Sequence, residues 1–118
     1  MLIKPEPRRL YLGRAAEVFA LVDARDYEWC IRWLWGITWD RHKRKMYATR
    51  STRRRRERAT QIKVYLHKAI LTERMGERPP TDEHTIGDHI DGDSLNDTRG
   101  NLRWATPREN ALNRRTTK

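Results

Sequence analysis

The chain has little cysteine and no long apolar stretch, and each shortage excludes a class of protein. Its one cysteine, Cys30, cannot form a disulfide within the chain and excludes a zinc site built from four cysteines. No apolar run approaches the ~18 residues of a membrane-spanning helix, and no signal peptide is recognisable. We therefore expect a cytoplasmic protein that is held together by its own packing, with Cys30 as a small buried hydrophobe.

Acidic residues are scarce relative to basic ones. The 26 Lys and Arg residues against 16 Asp and Glu give the 118-residue chain a net charge of +10. Such a charge suits a polyanion, because each phosphate that a basic side chain neutralises releases bound counterions. Nucleic-acid binding is the favoured class of function. A basic protein without such a partner, of the ribosomal type or merely soluble, is the alternative.

The length indicates one domain, or one domain with a small appendage, around a thin core. Five Trp and four Tyr supply bulky anchors, so the chain is not expected to be disordered. We expect an α+β fold in two parts. A small β-rich lobe with one helix covers residues 1–78, a strand–strand–helix unit covers 79–118, and a helix over 67–75 packs between them.

The pattern of apolar residues predicts the elements of the first part. Strands are predicted over residues 10–12, 18–22, 35–39, 46–50 and 61–66. Asp23 is placed to cap a helix that ends near Trp33 and Leu34 and carries Tyr27 and Ile31 at helical spacing. Four aromatic residues are assigned to the core rather than to base stacking: Trp29, Trp33, Trp35 and Trp39.

The last part contains two short strand candidates, over 85–90 and 102–105, with a polar, Gly-containing loop between them. A helix begins at Thr106. The threonine hydroxyl can cap it, Pro107 falls at its first position, and Glu109 completes a capping box.

Two basic segments are candidates for DNA contacts, although a solvated loop is the alternative for each. The first is the run Arg53, Arg54, Arg55 and Arg56, and the second is the loop Arg41, Lys43, Arg44 and Lys45. Further candidates lie close to the last strand and helix: Arg103, Asn113, Arg114 and Arg115.

A carboxylate, an imidazole and two amides are concentrated in the last quarter of the chain. The runs that contain or flank them are Leu66-His67-Lys68, Asp88-His89-Ile90-Asp91-Gly92-Asp93, Leu95-Asn96, Asn101-Leu102-Arg103 and Glu109-Asn110. In residue types and spacing together this stretch resembles the signature of the HNH endonucleases, and most closely the phage and intron-encoded homing-type branch.

The resemblance implies a ββα-metal unit and assigns roles to four residues. His89 is the general base, which suits an imidazole because it titrates near neutrality. Asp88 and Asn110 hold a single divalent cation. Since both offer oxygen, Mg²⁺ or Mn²⁺ is expected. Asn101 supports His89 by bonding across the loop.

The expected function is therefore a metal-dependent HNH endonuclease, of the nicking or homing type, that hydrolyses phosphodiester bonds in double-stranded DNA. It needs no membrane and acts as a monomer or a homodimer. The main alternative is a catalytically inactive DNA-binding module of the same fold, and a structural RNA-binding protein is a third class.

Other polar residues of the motif are assigned structural roles. Asp91, Asp93 and Asn96 are expected to form turns by bonding to their own backbone. For His67, packing against the strand–strand–helix unit is favoured over a phosphate contact.

Overall fold

The structure is a computed structural model that describes residues 5–14, 17–53 and 61–116, with the backbone alone at residues 53, 61 and 114–116. Its elements follow in the order β1 (Arg8–Tyr11), β2 (Phe19–Val22), α1 (Ala24–Cys30), β3 (Gly36–Asp40), β4 (Lys45–Arg53), β5 (Gln61–Tyr65), α2 (Leu66–Ala69) with a π-helical continuation (Ile70–Arg74), β6 (Ile86–His89), a 3-10 turn (Arg99–Asn101), β7 (Leu102–Ala105) and α3 (Pro107–Thr116). This is an α+β fold, as the sequence predicts.

The strands of the described part form three small antiparallel sheets, β1–β2, β3–β4–β5 and β6–β7. In the last sheet Asp88 lies opposite Arg103, and His89 lies opposite Leu102. The predicted strands over 18–22, 35–39, 61–66 and 102–105 each coincide with an observed strand to within a residue or two.

Helix α3 begins with the predicted capping box, which is confirmed. The Thr106 amide donates to Glu109 Oε1 at 2.9 Å, and the Glu109 amide donates to Thr106 Oγ1 at 3.1 Å. These two bonds satisfy amides that a helix N-terminus otherwise leaves without partners. They fix the direction of α3 as it leaves β7, and α3 packs against both β6 and β7.

One apolar core draws on both ends of the chain. Its buried members include Leu10, Val22, Trp35, Leu66, Ile70 and Leu102. Ile70 belongs to the helical segment that the sequence places between the two parts, and Leu66 directly precedes that segment. The π-helical turn ends at Arg74, and Gly76 shortly after it has a φ of +65°, which is accessible to glycine at little cost.

Helix α1 departs from the prediction in its length, its buried face and its cap. It ends at Cys30, so the predicted end near Trp33 and Leu34 is wrong. Its buried residues are Asp26 and Cys30, whereas Ile31 is exposed. Asp23 occupies the N-cap position without a side-chain cap bond, because its carboxylate accepts instead from Arg25 Nε and from the amide of Arg99.

The predicted aromatic core is correct for Trp35, which is 1% exposed, and wrong for Trp39, which is 54% exposed. Trp29 and Trp33 are partly buried against the core. Residues alternate faces along a strand, and Trp39 lies on the outer face of β3 with Ile37, whereas Thr38 points inward and shares a hydrogen bond with Thr49.

A backbone connection ties the N-terminal hairpin to the loop between β6 and β7. The Leu21 amide donates to the Leu95 carbonyl, and the Asp97 amide donates to the Leu21 carbonyl, both at 2.8 Å. Because strand β2 thus pairs with residues 95–97, it determines the path of the motif loop.

Asp26 makes a second connection between the same parts of the molecule. The carboxylate is fully buried and accepts from Arg74 Nε at 3.0 Å, Arg99 Nε at 2.9 Å and Arg99 Nη2 at 2.6 Å. Burial acts to raise the pKa of Asp26, but the bonds from Arg99 and Arg74 outweigh it and hold that pKa below the ordinary value of 3.8.

In the part of the chain that the structure describes, no helix has both the length and the apolar character to cross a membrane.

Asp26→Asn should destabilise the fold by about 3–5 kcal/mol, because it leaves two arginines without their buried counter-charge. Urea unfolding at neutral pH measures this free energy. The difference from wild type should shrink as the pH falls through the lowered pKa of Asp26, because the stabilising carboxylate is then lost from the wild type too. Glu28→Gln, at an exposed position of the same helix, is the control. Equal stability of the two variants would contradict the role of Asp26.

Candidate active site

A pocket at the end of strand β6 brings together three of the four residues to which the sequence resemblance assigns roles. Its volume of about 10 Å³ is roughly that of one water molecule. It is lined by Lys43, Lys45, Tyr47, Gly87, Asp88, His89, Asn110 and Asn113. Asp88, His89 and Asn110 therefore share one cavity.

The adjacent residues Asp88 and His89 both reach this pocket and are both 5% exposed. Strand neighbours normally point to opposite faces, so only one would be expected there. Strand β6 is short, however, and Gly87, Asp88 and His89 are all buried because protein covers both of its faces. The pocket lies where the strand ends and the turn begins.

Asp88 is held by two partners. Arg103 Nε donates to Asp88 Oδ2 at 2.9 Å from the neighbouring strand. Asn113 Nδ2 lies 3.2 Å from the same oxygen and donates to the His89 carbonyl at 2.9 Å. Arg103 and Asn113, predicted to contact DNA, thus orient the carboxylate and tie α3 to β6.

His89 has a carboxylate partner that the sequence analysis missed. Its Nε2 lies 2.6 Å from Asp97 Oδ1, and both side chains are buried. The ring of His67 packs beside it with centroids 4.6 Å apart, and the ring of Tyr47 lies 6.0 Å away. A carboxylate in a loop of Asx-type turns carries no sequence signal that separates it from the turn-forming Asp91 and Asp93.

Asn101 bonds across the loop, as predicted. The hydrogen bonds of its side chain are made to residues of the loop and not to the ring of His89. Its Oδ1 accepts from the Asp91 amide at 2.9 Å, and its Nδ2 donates to Asp91 Oδ1 and to the Asn96 carbonyl, both at 2.8 Å. Its carbonyl accepts from the Ile90 amide at 2.8 Å. Asn101 therefore closes the turn that follows His89, and Asp97 makes the direct contact with the imidazole.

The predicted turn formers behave as expected. Asp91 Oδ1 accepts from the Asp93 amide at 2.8 Å, and Asp93 Oδ1 accepts from the Leu95 amide at 3.0 Å. Asn96 Nδ2 donates to Asp91 Oδ2 at 2.9 Å. These contacts shape the loop, and none involves the pocket.

His67 is buried and packs against the site, in keeping with its predicted structural role. Its pKa is lowered well below 6.5, first by burial and then by repulsion from His89. His67 is therefore neutral at physiological pH and adds no positive charge beside His89. Gly87 leaves the space for this ring, because a Cβ there would lie 2.8 Å from His67 Cδ2.

Two sets of donors near the pocket could in principle hold a cation. Asp88 and Asn110 offer a carboxylate and an amide oxygen, which fits a hard ion that keeps several of its waters. His67, His89 and Asp97 also lie together, with candidate ligand atoms within 4.8 Å of one another. The 2.6 Å between His89 Nε2 and Asp97 Oδ1 is a hydrogen-bond distance, whereas two ligands on one tetrahedral ion lie about 3.3 Å apart. We therefore assign this second set to hydrogen bonding.

Lysines from the second basic segment complete the surroundings. Lys43 and Lys45 line the pocket, and Lys45 Nζ donates to the Gly92 carbonyl at 2.9 Å. A neighbouring cavity of about 210 Å³ shares Lys43 and is also lined by Lys68. Positive charge therefore borders the carboxylate and imidazole on the side of the β3–β4 turn.

The remaining predicted DNA contacts are not placed by the structure. Arg54, Arg55 and Arg56 lie outside the described residues. For Arg53, Arg114 and Arg115 the described part is the backbone of β4 and α3.

Comparison with known proteins gives one partial match. The chain is 43% identical over 54 residues to an uncharacterized HNH endonuclease, L560, of Acanthamoeba polyphaga mimivirus. The match covers 46% of this chain and 28% of that protein. No family model and no solved structure matches. The likeness suggests the HNH family and a nuclease function.

Gly87→Ala should destabilise the protein by about 1–3 kcal/mol, because the added methyl group forces the buried ring of His67 to move. Thermal or urea unfolding measures the loss. Gly100→Ala is the matched control, since a Cβ at that position meets no atom within 4 Å. A Gly87 variant as stable as the Gly100 variant would show that the packing of His67 against β6 is looser than described.

Proposed function

We propose that this chain is an HNH-type DNA endonuclease that hydrolyses phosphodiester bonds with the help of one divalent cation. The observation that supports this most directly is the shared pocket of Asp88, His89 and Asn110, bordered by Lys43 and Lys45. General base, cation ligands and phosphate-attracting charge are the groups that hydrolysis of a phosphodiester requires.

In this proposal His89 acts as the general base. It takes a proton from a water molecule whose oxygen forms a bond to phosphorus while the bond from phosphorus to the 3′ oxygen breaks. The 3′ oxygen takes up a proton from solvent. The products are a 5′ phosphate and a 3′ hydroxyl.

Asp88 and Asn110 are the proposed cation ligands, and the all-oxygen donor set favours Mg²⁺ or Mn²⁺. A cation bound there would supply positive charge to the phosphate and the leaving oxygen. Arg103 and Asn113 hold the carboxylate of Asp88 in place through their hydrogen bonds. With two protein oxygens only, the site should bind the ion weakly when DNA is absent.

Duplex DNA is the proposed substrate. Lys43 and Lys45 line the pocket and would attract a phosphate to it, and the arginines at 53–56, 114 and 115 add charge for contacts to the DNA backbone. One such site cuts one strand. We therefore propose nicking, with a double-strand break needing two copies or two visits; a homing role rests on the sequence resemblance alone.

His89→Ala should reduce nicking of supercoiled plasmid in Mg²⁺ by about 10²–10⁴-fold, because the general base is lost. Appearance of the open-circular form in a gel measures the rate, and circular dichroism verifies the fold. His42→Ala, in an exposed turn, is the control and should cut normally.

The same experiment separates the alternative functions. Undiminished cutting by the His89 variant would rule out its role as base. A wild-type protein that shifts duplex DNA in a gel but never cuts it would be a binding module. Tighter binding to RNA than to duplex DNA, without dependence on a metal, would indicate the RNA-binding class.

Asn110→Ala should raise the Mg²⁺ concentration for half-maximal nicking by about 10–100-fold, because one of two protein oxygens is removed. A titration of Mg²⁺ in the nicking assay measures the shift, and chelator should abolish cutting by either protein. Leu112→Ala, at an exposed position of α3, is the control. An unchanged Mg²⁺ dependence of the Asn110 variant would exclude Asn110 as a ligand.

A further inference from the structure

We propose that Asp97 is a positioning residue that selects the tautomer of His89 and leaves Nδ1 as the atom that accepts the proton of the attacking water. This deepens the proposed nuclease function and rests on it. The geometric basis is the hydrogen bond of 2.6 Å between His89 Nε2 and Asp97 Oδ1, formed between two buried side chains.

The chemistry of a neutral imidazole makes this contact decisive. One ring nitrogen carries a proton and the other has a free electron pair, and the partner of each nitrogen determines which is which. A carboxylate only accepts, so it selects the form with the proton on Nε2. Nδ1 is then the nitrogen with the free electron pair, and the ring can accept a proton from water there.

Asp97 is held in place independently of His89. Its amide donates to the Leu21 carbonyl at 2.8 Å, so strand β2 fixes its backbone. Its side chain is 1% exposed, and its Oδ2 has no hydrogen-bond partner among the described residues.

The charge on Asp97 is subject to two opposing effects. Burial raises the pKa of Asp97 and so favours its neutral form, whereas the hydrogen bond from His89 acts to lower that pKa and favours the carboxylate. His67, the imidazole that packs beside His89, is neutral. When Nδ1 takes the proton of water, the imidazolium that forms lies against the carboxylate of Asp97, which stabilises its positive charge.

Asp97→Asn is the decisive variant. An amide is nearly isosteric with the carboxylate, but it can also donate to Nε2 and so stabilise the tautomer with the proton on Nδ1. We expect kcat for nicking to fall by about 10²–10⁴-fold with KM nearly unchanged. The unfolding midpoint should be unchanged or higher, because a buried charge with an unpartnered oxygen is removed.

Asp93→Asn, an exposed acid-to-amide change in the same loop, is the control and should leave kcat, KM and the tautomer as in wild type.

Nitrogen NMR of the imidazoles reads the tautomer directly and does not depend on activity. The chain has four histidines, and the signal lost in His89→Ala identifies that of His89. At about pH 8, above the usual imidazole pKa, wild type should carry the proton on Nε2 and the Asp97→Asn variant should shift toward Nδ1. A wild-type proton on Nδ1, or a variant with wild-type tautomer and kcat, would overturn the inference. If wild type shows the expected tautomer but cuts no DNA, the proposed function fails while the assignment of Asp97 to the tautomer stands.

Discussion

The pairing of strand β2 with the loop between β6 and β7 fixes the geometry of the candidate site. Two backbone hydrogen bonds at Leu21 hold residues 95–97. They place Asp97 against His89, and Asn101 closes the same loop from within. Main-chain bonds of this kind are insensitive to side-chain identity, so the position of a side chain in the motif is determined by a strand some seventy residues earlier.

Two buried acids, Asp26 and Asp97, have their negative charges compensated to different degrees. The buried acid Asp26 lies between two arginines and has a lowered pKa, whereas the buried acid Asp97 contacts one imidazole and has a raised pKa. The first arrangement compensates its charge fully and joins α1 to the residues before β7. The charge of Asp97 is incompletely compensated, and Asp97 lies next to the pocket. Because burial of such a carboxylate destabilises a fold, we attribute it to a role in the chemistry of the site.

Local patterns predicted much of this fold, and long-range pairing accounts for what they missed. The capping box of Thr106 and Glu109 involves residues three apart, so the local sequence is sufficient to predict it. The gathering of Asp88, His89 and Asn110 in one cavity also agrees with the motif spacing. The buried face of α1 and the exposure of Trp39 were predicted wrongly, because the burial of Asp26 between two arginines and the choice of which face of β3 is covered arise only in the folded chain. The partner of His89 was missed for the same reason: nothing in the loop distinguishes Asp97 from the acids that merely form turns.

The dependence of Asp97 on Leu21 limits how the motif can be treated as a unit. Residues 79–118 alone would retain the strand pair, the capped helix and the pocket residues Asp88, His89 and Asn110. They would lack the lysines of the β3–β4 turn that line the pocket, and they would lack the backbone partner that holds the loop on the far side of the imidazole. A graft of this segment onto another scaffold would need a substitute for one short strand, supplying one amide and one carbonyl in the right register. The motif is therefore not an independent unit, because the position of its loop depends on two main-chain groups outside it, the amide and the carbonyl of Leu21.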